Sequence, residues 1–270
     1  MGATPSPVQL LRWYVEAGAD EAIGDVPRDR YASAPPAASA AASTTATARE
    51  VIRPFPPASP LLPPANQGSA APAAAAHDLA ELRRALERFD GCALKETATT
   101  TVFADGNPDS AVMIIGEAPG ADEDRQGLPF VGVSGQLLDR MLASIGLDRT
   151  SVYITNVLPW RPPGNRKPTL AEVASCVPFL ERHIVLVNPK FLLLLGGMAT
   201  SVIFARPEGI MRLRGRWHDY AVGLARPIPA LATFHPAYLL RTPAQKKFAW
   251  RDFLALKRRL DSLPQEFSQS

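Results

Sequence analysis

Three polar residues stand directly behind runs that read as buried strands: Glu117 behind Ala111 to Gly116, Asn156 behind Val152 to Thr155, and His235 behind the stretch from Pro229 to Phe234. Each is followed by a Gly- or Pro-bounded loop, and in parallel sheets ligands bind beyond the carboxyl ends of the strands. A carboxylate, a carboxamide and an imidazole are thereby brought to one sheet edge. No Ser or Cys nucleophile accompanies them in these motifs, so His235 reads as a hydrogen-bond donor to developing negative charge rather than as a general base.

The elements that must carry these residues follow from periodicity. Strands are expected at 111–116, 152–157, 191–196 and 228–233, alternating with helices near 134–145, 170–187, 197–205 and 243–260 and preceded by a helix from Asp78 to Arg88. The fold class is α/β, a three-layer α/β/α sandwich around a short, mainly parallel sheet. Residues 77–262 form this domain and 263–270 a tail. Ahead of it, residues 1–31 contain a short amphipathic helix at 6–22, suited either to a protein partner or to packing on the main domain. Residues 32–76 are rich in Ala and Pro, with seven prolines between Pro54 and Pro72, and read as a mostly disordered linker.

No apolar run is long enough for a membrane span and no secretory signal is evident, so a cytoplasmic monomer is expected. Net charge is only +3, yet Arg206 to Arg259 holds 12 basic against 3 acidic side chains. Alone such a stretch is as readily a solvated helix surface; beside a candidate site it favours phosphate binding. Cys92 and Cys176 read as two buried thiols of a reducing compartment.

Five ordered blocks, GEAPG (116–120), EDRQGLPFVG (123–132), YITNV (153–157), RPPGNR (161–166) and HPAYLLR (235–241), resemble the uracil-DNA glycosylases, specifically family 4, over about Phe89 to Arg259. The resemblance implies the same sandwich fold, uracil-containing DNA as partner, and hydrolytic excision of the flipped base to leave an abasic site. It gives His235 the donor role toward uracil O2 and Asn156 the reading of N3–H and O4, a pattern that cytosine reverses. Phe130, otherwise an ordinary core aromatic, becomes the stacking platform, with Gly116 and Ala118 beside the base.

Family 1 enzymes have an aspartate where Ala118 stands and a tyrosine where Gly120 stands. The water-orienting role therefore passes to Glu123 or Glu117, with Glu123 the first choice; Asp122 and Asp124 are solvated or capping. Ser134 is either a helix cap or part of a phosphate seat. Arg161, Asn165 and Arg166 are DNA-backbone contacts unless their Pro-rich loop is only structural. Leu239 matches the family's apolar wedge, with Arg241 following it.

Family 4 proteins hold a [4Fe–4S] cluster on four cysteines. The corresponding positions here read Phe89, Cys92, Trp160 and Cys176, and two thiolates fall short of four ligands. The expectation is therefore no cofactor and no metal, with the two aromatics packing in the cluster's place. The competing function is a DNA-binding module that recognises uracil or abasic sites without turnover, motivated by Ala118.

Overall fold

The computed structural model describes residues 67–263; the calls on 1–66 and on the tail after 263 lie outside them. A six-stranded sheet runs in the order β1-β3-β2-β4-β6-β5, comprising β1 (Asp105–Gly106), β2 (Val112–Gly116), β3 (Tyr153–Asn156), β4 (Phe191–Leu195), β5 (Trp217–Tyr220) and β6 (Ile228–Thr233). The four inner strands are parallel, and β1 and β5 are antiparallel edges.

The inner strands are apolar throughout because both faces are covered, and the period of two assigns each residue to a layer. Met113, Ile115, Leu192, Leu194, Ala230 and Ala232 face one core, which also contains Leu82 and Leu86 of α2 (Leu79–Arg88), Phe179 and Ile184 of α6 (Leu170–Val187) and Ile203 of α7 (Gly197–Phe204). Val112, Ile114, Leu193 and Leu231 face the other, with Leu138 and Leu142 of α5 (Val133–Ala143) and Phe253 and Leu256 of α10 (Lys246–Asp261). This is the three-layer sandwich that the alternation of elements implies.

Helix starts follow local chemistry. Thr169 and Glu172 form a reciprocal capping box on α6, and Asp78 accepts from the Glu81 amide at the start of α2. Short helices α3 (Leu94–Thr97), α4 (Ala121–Gln126), α8 (Ile210–Leu213) and α9 (Pro236–Arg241) fill the connections. No helix among the described residues is long and apolar enough to cross a membrane.

One boundary is corrected. The expected linker extends to residue 76, but Gln67–Ala74 form helix α1, which packs on α6. Ser69, Ala73 and Ala76 are buried there, and Arg182 donates to the Ala76 carbonyl at 2.8 Å. The small side chains that make this stretch look featureless are what let its backbone lie close against α6.

Candidate active site

From β2 the chain passes to β3 on one side, then returns to β4 on the other, so a crevice opens at the carboxyl edge where the strand order reverses. Registers bring the strand ends level, with Gly116 opposite Asn156 and Leu195 opposite Thr233. A cavity of about 710 Å³ lies over that edge, and its wall includes Glu117, Phe130, Asn156, Gly196, His235 and Arg241. The three residues singled out by their position behind strands are thus brought together.

Asn156 is 6% exposed, and its Oδ1 is buried with no hydrogen-bond partner among the described residues. A buried polar atom left in this way costs about 1–3 kcal/mol unless a ligand supplies the partner. Gly116 is required beside it, because a Cβ there would lie 2.3 Å from Asn156 Oδ1 and 2.5 Å from the Phe130 ring.

Phe130 is also buried and occupies the left-handed region with φ 54°, a strained conformation for a side chain of this size. Arg149 holds it there by donating to the carbonyls of both Pro129 and Phe130, and Arg149 is itself paired with Asp105 at 2.6 Å and Asp139 at 2.9 Å. Gly135 admits the turn, since a Cβ would sit 1.7 Å from the Phe130 oxygen. The Phe130 ring lies 5.5 Å from the His235 ring, tilted by 31°.

His235 caps α9. Its Nδ1 accepts from the Ala237 amide at 3.1 Å, which leaves the proton of the neutral ring on Nε2. Burial, and then the nearby Arg241 charge, lower its pKa to about 4, so the ring is neutral at ordinary pH. Gly196, in the left-handed region at φ 92°, lies so close that a Cβ would meet the His235 Cβ at 3.0 Å.

The two carboxylates exchange emphasis. Glu123, first choice for orienting water, is 7% exposed and accepts from Gly120 N at 3.0 Å and Gly132 N at 2.8 Å. It fastens two turns of the cavity wall together. Glu117 accepts no hydrogen bond through its side chain among the described residues, and burial pushes its pKa up against the opposing charge of Lys167. It is the carboxylate with lone pairs to offer. Asp122 is half exposed and pairs with Arg125, but Asp124 is neither solvated nor a cap: it is buried and accepts from the amides of Thr99 and Thr100, fastening that segment to α4.

Ala118 and Ser134 line the cavity, as do Asn165 and Arg166, whereas Arg161 lies off its wall and donates to Asn165 Oδ1. Arg166 forms a two-pronged pair with Glu172, whose carboxyl it draws down to about 2, so part of its charge serves the α6 cap. Arg241 is exposed on the rim.

Leu239 requires correction. It is fully buried, packed with Leu137, Phe234 and Ala249, because α9 lies on α5 with this side inward. The neighbouring Leu240 is 38% exposed and is the apolar tip that α9 presents to solvent. A shift of one residue turns a helix by about 100° and exchanges the buried face for the open one. Gly196, Gly197, Ile210, Met211 and Tyr238 also line the cavity and went unnoticed in the sequence. The two glycines follow the apolar run of β4 and were within reach of the strand-end argument; Ile210, Met211 and Tyr238 carry no such signal.

The four cluster positions can be tested on the same terms. Phe89 is 7% and Trp160 1% exposed, and both belong to the same core cluster as Cys92 and Cys176. Phe89 packs on Phe179 with ring centroids 5.2 Å apart, and the Trp160 indole donates to Thr101 Oγ1 at 3.0 Å. Proximity to Cys176 lowers the Cys92 thiol, while Cys92 and burial push Cys176 up, so the two free thiols are close neighbours in this core. No group of three or more His, Cys, Asp or Glu side chains among the described residues could hold a metal. The residues present do not fit an iron–sulfur cluster.

Residues 103–254 match the family described as the uracil DNA glycosylase superfamily. The type-4 uracil-DNA glycosylase of Sulfurisphaera tokodaii is 37% identical over 171 residues, covering 62% of this chain and 77% of that protein. The Archaeoglobus fulgidus protein of the same name is 40% identical over 166 residues, covering 60% and 83%, and that of Thermotoga maritima 40% over 157 residues, covering 58% and 80%. With its sheet, its strand-end motifs and this similarity running together from Phe103 to Leu254, the chain belongs to the uracil-DNA glycosylase superfamily.

Proposed function

We propose that this chain is a monofunctional uracil-DNA glycosylase acting, as a monomer, on uracil-containing DNA. The observation that carries the reading is the buried Oδ1 of Asn156, without a hydrogen-bond partner among the described residues and close to Gly116. A uracil stacked on Phe130 would offer N3–H to Asn156 Oδ1 and accept from its amide at O4; cytosine meets the same side chain with donor facing donor.

Excision breaks the bond between uracil N1 and C1′. The electron pair leaves with the base, with negative charge on O2, and a water oxygen adds to C1′ while its proton passes to solvent or base. His235 is suited to the first part, because its Nε2–H can donate to O2 without carrying a charge of its own. Glu117 is suited to the second, orienting water and balancing positive charge on the sugar. Glu123 supports both by holding the turns that carry the wall. Ser134, Arg166 and Arg241 line the cavity and are suited to hold the phosphates flanking a flipped nucleotide, and the exposed Leu240, in place of the buried Leu239, is suited to fill the vacated stack.

The competing reading, recognition without turnover, draws on Ala118, which brings no carboxylate to the cavity. An oligonucleotide with one central uracil, incubated with the chain and then treated with alkali, separates the two. Strand cleavage at the uracil position is the expected result. A retarded complex with no alkali-labile product would establish a binding module instead.

A further inference from the structure

Resting on the glycosylase reading, we propose that Met211 is a second apolar contact to DNA, filling disrupted base stacking beside the flipped nucleotide. Met211 is 64% exposed on α8 and lines the cavity with its neighbour Ile210. A lone exposed apolar side chain on a surface means little. This one is mounted on a segment fixed with unusual completeness for a four-residue helix.

The guanidinium of Arg214, directly behind α8, lies between the rings of Phe234 and Phe248, at 5.1 and 5.3 Å from their centroids. It donates to both oxygens of Asp252, at 2.5 and 3.1 Å, and to the Phe248 carbonyl at 2.6 Å. Asp252, 2% exposed, also accepts from Thr233 at the end of β6. Gly215 follows with φ 73°; its amide donates to Ala232, and a Cβ would sit 2.8 Å from Asp252 Oδ1. Leu213 is buried beneath. Burying a charged pair is costly unless its hydrogen bonds are met, and here they tie α8, the strand leading to His235 and the start of α10 into one unit. The exposed Met is therefore presented from a rigid support at the cavity wall, with the exposed Arg212 next to it for a phosphate.

Flipping a nucleotide out of a duplex requires unstacking, which costs a few kcal/mol per step and is offset by apolar side chains inserted into the stack. A single strand has little stacking to break. The role given to Met211 thus concerns duplex substrate and not the chemistry of the bond.

The test is single-turnover excision from one uracil oligonucleotide, as a duplex and as a single strand, by the parent chain, Met211→Ala and Met211→Leu. The Ala variant is expected to slow duplex excision about tenfold while the single strand changes less than about twofold, with Leu restoring most of the duplex rate. An equal fall on both substrates, or no fall on the duplex, overturns the proposal. A parent chain that releases uracil from neither substrate would instead remove the glycosylase reading on which it rests.

Discussion

At the scale of single residues, the proposed chemistry rests on Asn156, whose buried Oδ1 has no hydrogen-bond partner among the described residues, and on the partly buried carboxylate of Glu117. Asn156→Asp replaces the donor toward O4 with a second acceptor, so uracil excision should fall by about tenfold or more. Unchanged excision in a timed assay would remove Asn156 from base recognition. Glu117 supplies a pH signature. Burial raises its pKa, so it protonates at higher pH than an ordinary carboxyl as solution is acidified. If its ionised form assists water, the single-turnover rate falls on the acid side from a midpoint above 4.5, and Glu117→Gln lowers the rate and abolishes that limb. His235, lowered to about 4, takes up its proton below this midpoint.

Glu117, Asn156 and His235 were legible in the sequence because each follows a buried strand, and a parallel sheet aligns such positions whatever lies between them. The roles of the carboxylates were not legible. Whether Glu123 faces a water or two backbone amides depends on turns whose closure is tertiary.

At the scale of elements, the inner strands declare themselves as uninterrupted apolar runs, while β1 and β5 are short edges with one face half open and leave no comparable pattern. α1 is a sharper case. An Ala-rich helix with Pro72 inside shows no amphipathic stripe, and what fixes it is the surface of α6. A chain beginning at Gln67 should therefore melt about 5 °C above one beginning at His77, because the shorter form loses buried Ala73 and Ala76 and the bond from Arg182. Equal melting temperatures would show that α1 contributes nothing to the core. Leu239 teaches the same lesson on α9: two adjacent leucines are equivalent in sequence, and only the packing against α5 decides which is buried.

At the scale of the whole molecule, one core joins α1, α2 and α6 through Phe89, Cys92, Trp160 and Cys176, the positions at which the family resemblance implies an inorganic cluster. The protein purified without oxygen should be colourless and contain no stoichiometric iron; iron approaching four atoms per chain would contradict the packing described for all four positions. Trp160→Ala should destabilise by about 3–5 kcal/mol in denaturant unfolding, as loss of a large buried ring leaves a cavity. A cost below about 1 kcal/mol would mean the core closes without it.

In the proposed reaction the neutral imidazole of His235 stabilises the departing base, and this is measured most directly by comparing the parent with His235→Ala in single-turnover uracil excision and in equilibrium binding to the same duplex. A donor acting mainly on charge that develops as the bond breaks contributes to rate more than to ground-state affinity. The rate should fall by at least about tenfold while affinity stays within about threefold. An unchanged rate, or a loss of rate matched by an equal loss of affinity, would contradict the account.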